Sequence, residues 1–180
     1  MLKKEETQKQ LDDFRKYVIQ QARTNLTKTK KNSSKKLYNS INGVSKVNPN
    51  SISLYFEMFD YGVFQDKGVS GVKKKYNTPY TYKTKMPPTK ALDKWIVRKG
   101  IAPRDENGKL MNRQSLKFAI ARNIFINGIK PSLFFTKPFE KAYKQLPDEL
   151  IKAYGLDITK IFIDTIDSRK WETYLHEVHS

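Results

Sequence analysis

The sequence predicts an α+β domain: a mostly antiparallel sheet flanked by helices, carrying a long basic loop and a helical insertion. Three observations predict it. Residues 4–27 place Leu11, Phe14, Val18 and Ala22 at spacings of three and four, the repeat of one helical face. Residues 51–59, SISLYFEMF, instead alternate: Ile52, Leu54, Phe56 and Met58 against Ser51, Ser53, Tyr55 and Glu57. That is the period of two of a strand with one buried face. Beyond a proline-broken tract, helical spacing returns at 89–100 and again at 113–128.

In chain order, the amphipathic helix at 4–27 lies on the body of the domain. KTKKNSSKK (28–36) reads as a solvated loop. In KKLYNSINGV, Leu37, Ile41 and Val44 fit one helical face, which Gly43 ends. The turn residues Asn48-Pro49-Asn50 join 44–47 to 51–59 as a hairpin. The stretch YGVFQDKGVSG (61–71) then reads as a strand over 60–66 running into a glycine-bounded turn. Residues 72–88, VKKKYNTPYTYKTKMPP, read as a long exposed loop or edge hairpin. Thr89 is placed as the N-cap of a helix carrying Leu92, Trp95 and Ile96 and ended by Gly100. RDENGK (104–109) is a turn. The helix at 113–128 buries Leu116, Ile120, Ile124 and Phe125, with Gly128 at its end and Pro131 beyond. Residues 132–155 start extended, turn helical around Pro138 and restart at Pro147. A strand at 158–166 and a frayed helix close the chain. One core is expected to hold Ile52, Leu54, Phe56, Phe64, Leu116, Ile120 and Phe135.

Composition narrows the function. A chain of 180 residues suits one domain. It has no cysteine, which excludes disulfides, thiolate metal sites and a cysteine nucleophile. MLKKEETQKQLDDF lacks the apolar core of a signal peptide, and no run approaches a membrane span, so a protein made in the cytoplasm without a membrane partner is expected. The net charge of +17 points to an acidic partner, nucleic acid or protein. Arginine, which supplies the planar fork for phosphates and guanine edges, is scarce here. The charge is concentrated: residues 67–104 hold eleven Lys and Arg against one acid, Asp93. The tail from 157 to 180 is mildly acidic.

Catalytic patterns are weak. Asp66 and Lys67 suit a metal nuclease only with further acids at matching spacing, which do not follow. His176 and His179 stand three apart, not four as in the zinc-protease helix. Neither GVSG nor DENGK has phosphate-loop spacing, and no serine sits in a G-x-S-x-G context. The expectation is therefore no enzyme, no cofactor and no metal. Nucleic-acid binding has one better signal. KKKYNTPYTYKTK (73–85) interleaves lysines with Tyr76, Tyr80 and Tyr82, which would pair with phosphates and stack on bases. A helix-turn-helix is excluded by the 12 residues between Gly100 and Arg113.

Three stretches, in order, resemble the tail-completion or head–tail connector (neck) proteins of tailed bacteriophages. That family shows T-G-x-L-x-x-S-I after its first helix; Ser34 to Ile41 match at Leu37, Ser40 and Ile41, with Lys35 in place of the glycine. It continues into Y-A-x-x-x-E-x-G-T. Here Tyr61 and Gly68 match, Asp66 stands for the glutamate and Val69 replaces the threonine. Its aromatic–basic–proline motif has a counterpart in Phe135-Thr136-Lys137-Pro138, after Gly128-Ile129-Lys130-Pro131. The resemblance implies a single domain over 1–180. The helix at 4–27 leads a connector-like core of 34–71 and 128–166, interrupted by an insertion at 72–127. It also implies a structural virion protein that forms a ring at the head–tail junction or upper tail, touching itself, portal, adaptor or tail proteins, and DNA in passing. A nucleic-acid-binding protein of phage replication or packaging is the alternative. On this reading Asp66, Lys67, Gly68, Lys73, Lys74, Lys75, Tyr76, Tyr80 and Tyr82 form the subunit or partner interface. The loop is ordered only on assembly.

Overall fold

A computed structural model describes residues 4–48, 51–104 and 106–154. Its elements are α1 (Lys4–Lys28), α2 (Lys36–Ser40), β1 (Asn42–Asn48), β2 (Ser51–Glu57), α3 (Tyr61–Lys67), α4 (Thr89–Lys99), α5 (Arg113–Asn127), α6 (Thr136–Tyr143) and α7 (Asp148–Tyr154). The fold is α+β, as expected. Among the described residues the sheet is the antiparallel β1–β2 hairpin alone. The strand and helix expected after residue 157 lie outside the described residues.

The helix α1 forms where its spacing demands. Leu11, Phe14, Val18, Ala22 and Leu26 are buried in one stripe. Glu5 and Glu6 at its start and Lys28 at its end match the helix dipole. The stripe lies along β1, and side chains of α1 cover that strand's outer edge. Gln8 Nε2 donates to the Ser45 carbonyl at 3.0 Å, and Gln8 Oε1 accepts from Val47 N at 2.9 Å. Arg15 reaches the Gly43 carbonyl at 3.2 Å and Ser45 Oγ at 3.1 Å. A strand edge that would otherwise offer unpaired backbone groups is thereby closed.

Four phenylalanines occupy the centre. Phe56 meets Phe135 edge-on at 5.2 Å and Phe139 at 6.0 Å, while Phe14 meets Phe139 edge-on at 5.4 Å. Leu37, Ile41, Phe134, Ala142 and Leu146 join this cluster, with Val18, Ala22 and Leu26 of α1. A smaller one joins Leu11, Val47 and Leu150, with Ile52 against it. The hairpin register Val47↔Ile52, Ser45↔Leu54 and Gly43↔Phe56 places the inward residues as their alternation predicts.

Four expectations are corrected. Residues 60–66 are not a strand: 61–67 form α3, because Gly62 lets that turn approach Met58 and Leu37. A Cβ at Gly62 would stand 2.7 Å from Met58 Sδ and 2.8 Å from Leu37 Cδ1. Val44 does not share a helical face with Leu37 and Ile41; it sits in β1, outward and opposite Tyr55. Thr89 opens α4 as its first residue, and the N-cap is Pro88. The single core divides. Phe64 packs on Tyr80 instead, Leu116 is buried between α4 and α5, outside both clusters, and Ile120, Ile124 and Phe125 are only half-buried, since Ala121 takes the inner face of α5.

Two predictions follow from this packing. Phe56→Ala, which removes the ring that meets both Phe135 and Phe139, should lower unfolding free energy by about 3–5 kcal/mol in urea titrations. The second concerns Asp12. The Ser45 hydroxyl, donating at 2.6 Å, lowers its pKa most; partial burial opposes that shift, and Gln8 and Arg15 add to it. A carboxylate whose pKa is lower folded than unfolded stabilises the fold at neutral pH. That contribution is lost as pH falls below about 4. Ser45→Ala should therefore flatten the acid side of the stability–pH profile while changing it least near the lowest pH.

Candidate partner interface

The 61–88 segment divides into an inner strap and an outer basic surface. Asp66 belongs wholly to the interior. It is 2% exposed, so the expectation that it faces a partner is corrected. Its backbone carbonyl accepts from Ser132 N at 3.1 Å and Leu133 N at 3.0 Å. Its Oδ1 accepts from Phe135 N at 2.8 Å and Thr136 N at 3.2 Å, and its Oδ2 accepts from the Thr136 hydroxyl. These are the free amides at the start of α6, so Asp66 caps a helix 70 residues away. The same contacts hold Leu133 at φ 51°, a left-handed conformation uncommon for leucine. Lys31 lies close by: burial lowers the pKa of its ammonium, the Asp66 carboxylate opposes that shift, and Lys130 adds to it.

After Asp66 the chain crosses the 126–131 segment at backbone distance. Gly68 (φ 76°) ends α3, its N–H donating to Phe64 O at 2.9 Å. Val69 pairs with Ile129 through two hydrogen bonds of 2.9 and 2.8 Å. Only glycine fits on either side of this crossing. A Cβ at Gly71 would lie 2.2 Å from Ile126 O, and one at Gly128 would lie 2.1 Å from Val69 O. The run GVSG, read from sequence as a turn, is a close backbone contact.

Ser70, 3% exposed, then anchors the loop. Its backbone exchanges 2.8 Å bonds with Tyr80 O and Tyr82 N, and its hydroxyl bonds Tyr76 N at 3.0 Å and Tyr76 O at 3.2 Å. Thr78 Oγ1 adds a bond to Gly68 O, while Val72 N and Lys73 N reach Phe125 O and Ile126 O. Tyr80 packs edge-on to Phe64 at 4.8 Å, and Tyr82 leans on Phe125 at 6.3 Å. Burial raises the pKa of both phenols. The loop is thus held by its own chain, contrary to the expectation that assembly orders it.

What remains outward is basic. Lys73, Lys74 and Lys75 are exposed. The Lys74 ammonium stands 5.7 Å from the half-buried Tyr76 ring, and Lys75 Nζ donates to Gly71 O at 2.9 Å. Lys67, half-buried, closes α3. Of the nine residues singled out by sequence, Lys73–Lys75 and Tyr76 form this surface, Lys67 stands half-buried at its edge, and Asp66, Gly68, Tyr80 and Tyr82 build the support beneath it. Sequence reasoning missed Ser70, Thr136 and Gly128. The small residues of GVSG and a second glycine before Pro131 were the available signal for the crossing. For Ser70 and Thr136 no local pattern existed.

Among the described residues no three His, Cys, Asp or Glu side chains gather as a metal site, and no helix is long and apolar enough to cross a membrane. His176 and His179 lie outside the described residues. Comparison with protein-family models, curated proteins and solved structures yields no match.

Substitutions at two positions test the strap. Asp66→Ala strands buried donors at the start of α6 and should lower stability by roughly 2–4 kcal/mol, with Asp66→Asn losing about half as much because its amide oxygen still accepts. Gly71→Ala should cost about 2 kcal/mol or more by overpacking against backbone that cannot rotate away. Denaturant titration measures both, and hydrogen exchange at Tyr76 and Tyr82 amides reports whether the loop loosens with them.

Proposed function

We propose that this chain is a non-catalytic structural protein of a phage virion, forming a ring at the head–tail junction or upper tail that joins portal-side to tail-side components. The observation that carries this reading is the meeting of the three stretches that resemble the connector family. Leu37 and Ile41 of the first share a core cluster with Phe135 and Phe139 of the third. Asp66 of the second caps the helix that the third begins. No described residue of 72–127 belongs to either core cluster, which supports reading that segment as an insertion on a connector-like body.

The basic surface then serves docking. Lysines supply attraction without directional forks, which suits a broad acidic protein face better than base readout. The nucleic-acid alternative keeps only Tyr76 of its three aromatics, because Tyr80 and Tyr82 are engaged with Phe64 and Phe125.

Quantitative mass spectrometry of purified virions tests the reading: the chain should be present at a fixed copy number equal to one ring. Its absence from particles overturns the proposal. Within such particles, Lys73→Glu, Lys74→Glu and Lys75→Glu together should block attachment of the neighbouring component and leave the melting curve of the isolated chain unchanged. A triple variant that docks normally but loses salt-dependent affinity for a DNA duplex would put the nucleic-acid reading in its place.

A further inference from the structure

The insertion carries a second surface, separate from 61–88. Its helices α4 and α5 pack on each other and bury little: Ile96, Leu116 and Ala121. Between them runs a groove of about 340 Å³ lined by Ile96, Val97, Ile101, Leu110, Met111 and Leu116. Several apolar side chains here stay in solvent. Val97 is 60% exposed, Leu110 56% and Met111 41%. Two helices alone cannot cover them, and an exposed apolar patch of this kind marks a contact surface.

Charge surrounds the groove. Residues 90–117 hold eight Lys and Arg against three acids. Of those acids, Asp93 is engaged by Arg113 at 3.1 Å and Lys117 at 3.4 Å. Arg113 also lines the groove, and Arg98 and Arg104 are exposed on the segments that form it. The module is tied to the body at the end of α4, where Lys99 Nζ donates to Lys30 O at 2.7 Å.

We propose that the α4–α5 groove docks an acidic amphipathic helix of a partner protein. The helix inserts its apolar face into the groove, and its carboxylates meet Arg98 and Arg104. This mode of recognition needs a concave apolar seat and complementary charge beside it; the groove is the seat, and Arg98 and Arg104 are exposed on the segments that form it. A second copy docked groove to groove would bring the same cations to the same place and be repelled. Duplex DNA offers phosphates but no apolar ridge to fill the groove. The inference does not depend on the ring reading.

Fluorescence anisotropy tests it. The probe is a labelled peptide of about 20 residues with leucine at heptad positions a and d and glutamate at most others. The full chain should bind it, and should bind a scrambled peptide of the same composition at least roughly tenfold more weakly. Val97→Ser with Leu110→Ser, and separately Arg98→Glu with Arg104→Glu, should each weaken binding about tenfold, the loss expected for anchor residues. These side chains are exposed, so circular dichroism should be unchanged. Failure to bind the helical peptide, equal binding of the scrambled one, or full binding by both variants overturns the proposal. Parallel titrations with a DNA duplex and with phosphatidylglycerol vesicles complete the test. If the same variants lose only those ligands, the groove serves nucleic acid or an anionic membrane and the proposal falls.

Discussion

The buried Asp66 carboxylate sets the arrangement of this domain. A carboxylate taken out of water has to be matched by donors, and here the donors are the free amides at the start of α6 together with the Thr136 hydroxyl. The residue's own carbonyl holds Ser132 and Leu133 in the turn before that helix. With α6 fixed in this way, Phe135 and Phe139 face Phe56 of the hairpin and Phe14 of α1. One polar contact thus orients the aromatic core, and the core in turn seats α1 on β1.

The same contact brings residues 68–71 across 126–131. That crossing is tight enough to require glycine at 71 and 128, and it leaves Ser70 as the sole buried hydroxyl of the strap. Ser70 then folds the 76–82 loop back on itself. The outcome is a division of labour along a short stretch of chain. Residues that point inward, Asp66, Ser70, Tyr80 and Tyr82, supply rigidity. Lys73, Lys74 and Lys75 project from that support as a charged surface. A basic loop held in place loses less conformational entropy on docking than a free one. This favours a surface built for one partner geometry over a flexible arm.

Local patterns made much of the fold legible. The stripe of α1, the alternation of β2, its antiparallel pairing with β1, Gly100 and Gly128 as helix ends, and Pro138 in the first turn of α6 all stand in the structure where the sequence puts them. Each rests on interactions within a few residues, so a single stretch contains all the information. The misreadings share one cause. YGVFQDK has strand-like residues, yet it is helical because Gly62 admits the side chains of Leu37 and Met58 and because Asp66 must reach α6. Val44 fits a helical period, yet it is in a strand because its neighbours Gly43 and Ser45 are bonded by Arg15 from α1.

Of the candidate site, composition alone determined the basic, tyrosine-rich character of 67–104, since charge and residue type need no fold to be counted. Which of those residues face outward was decided only by tertiary structure. Asp66 and Lys67 are adjacent in sequence and equally polar. One is sealed against amides 70 residues away, and the other is half-exposed at the end of α3. Tyr76, Tyr80 and Tyr82 look alike in the sequence and separate only when Phe64 and Phe125 arrive beside two of them. The reason is physical: burial of a polar or aromatic group depends on a partner that closes over it, and here every such partner comes from a distant part of the chain.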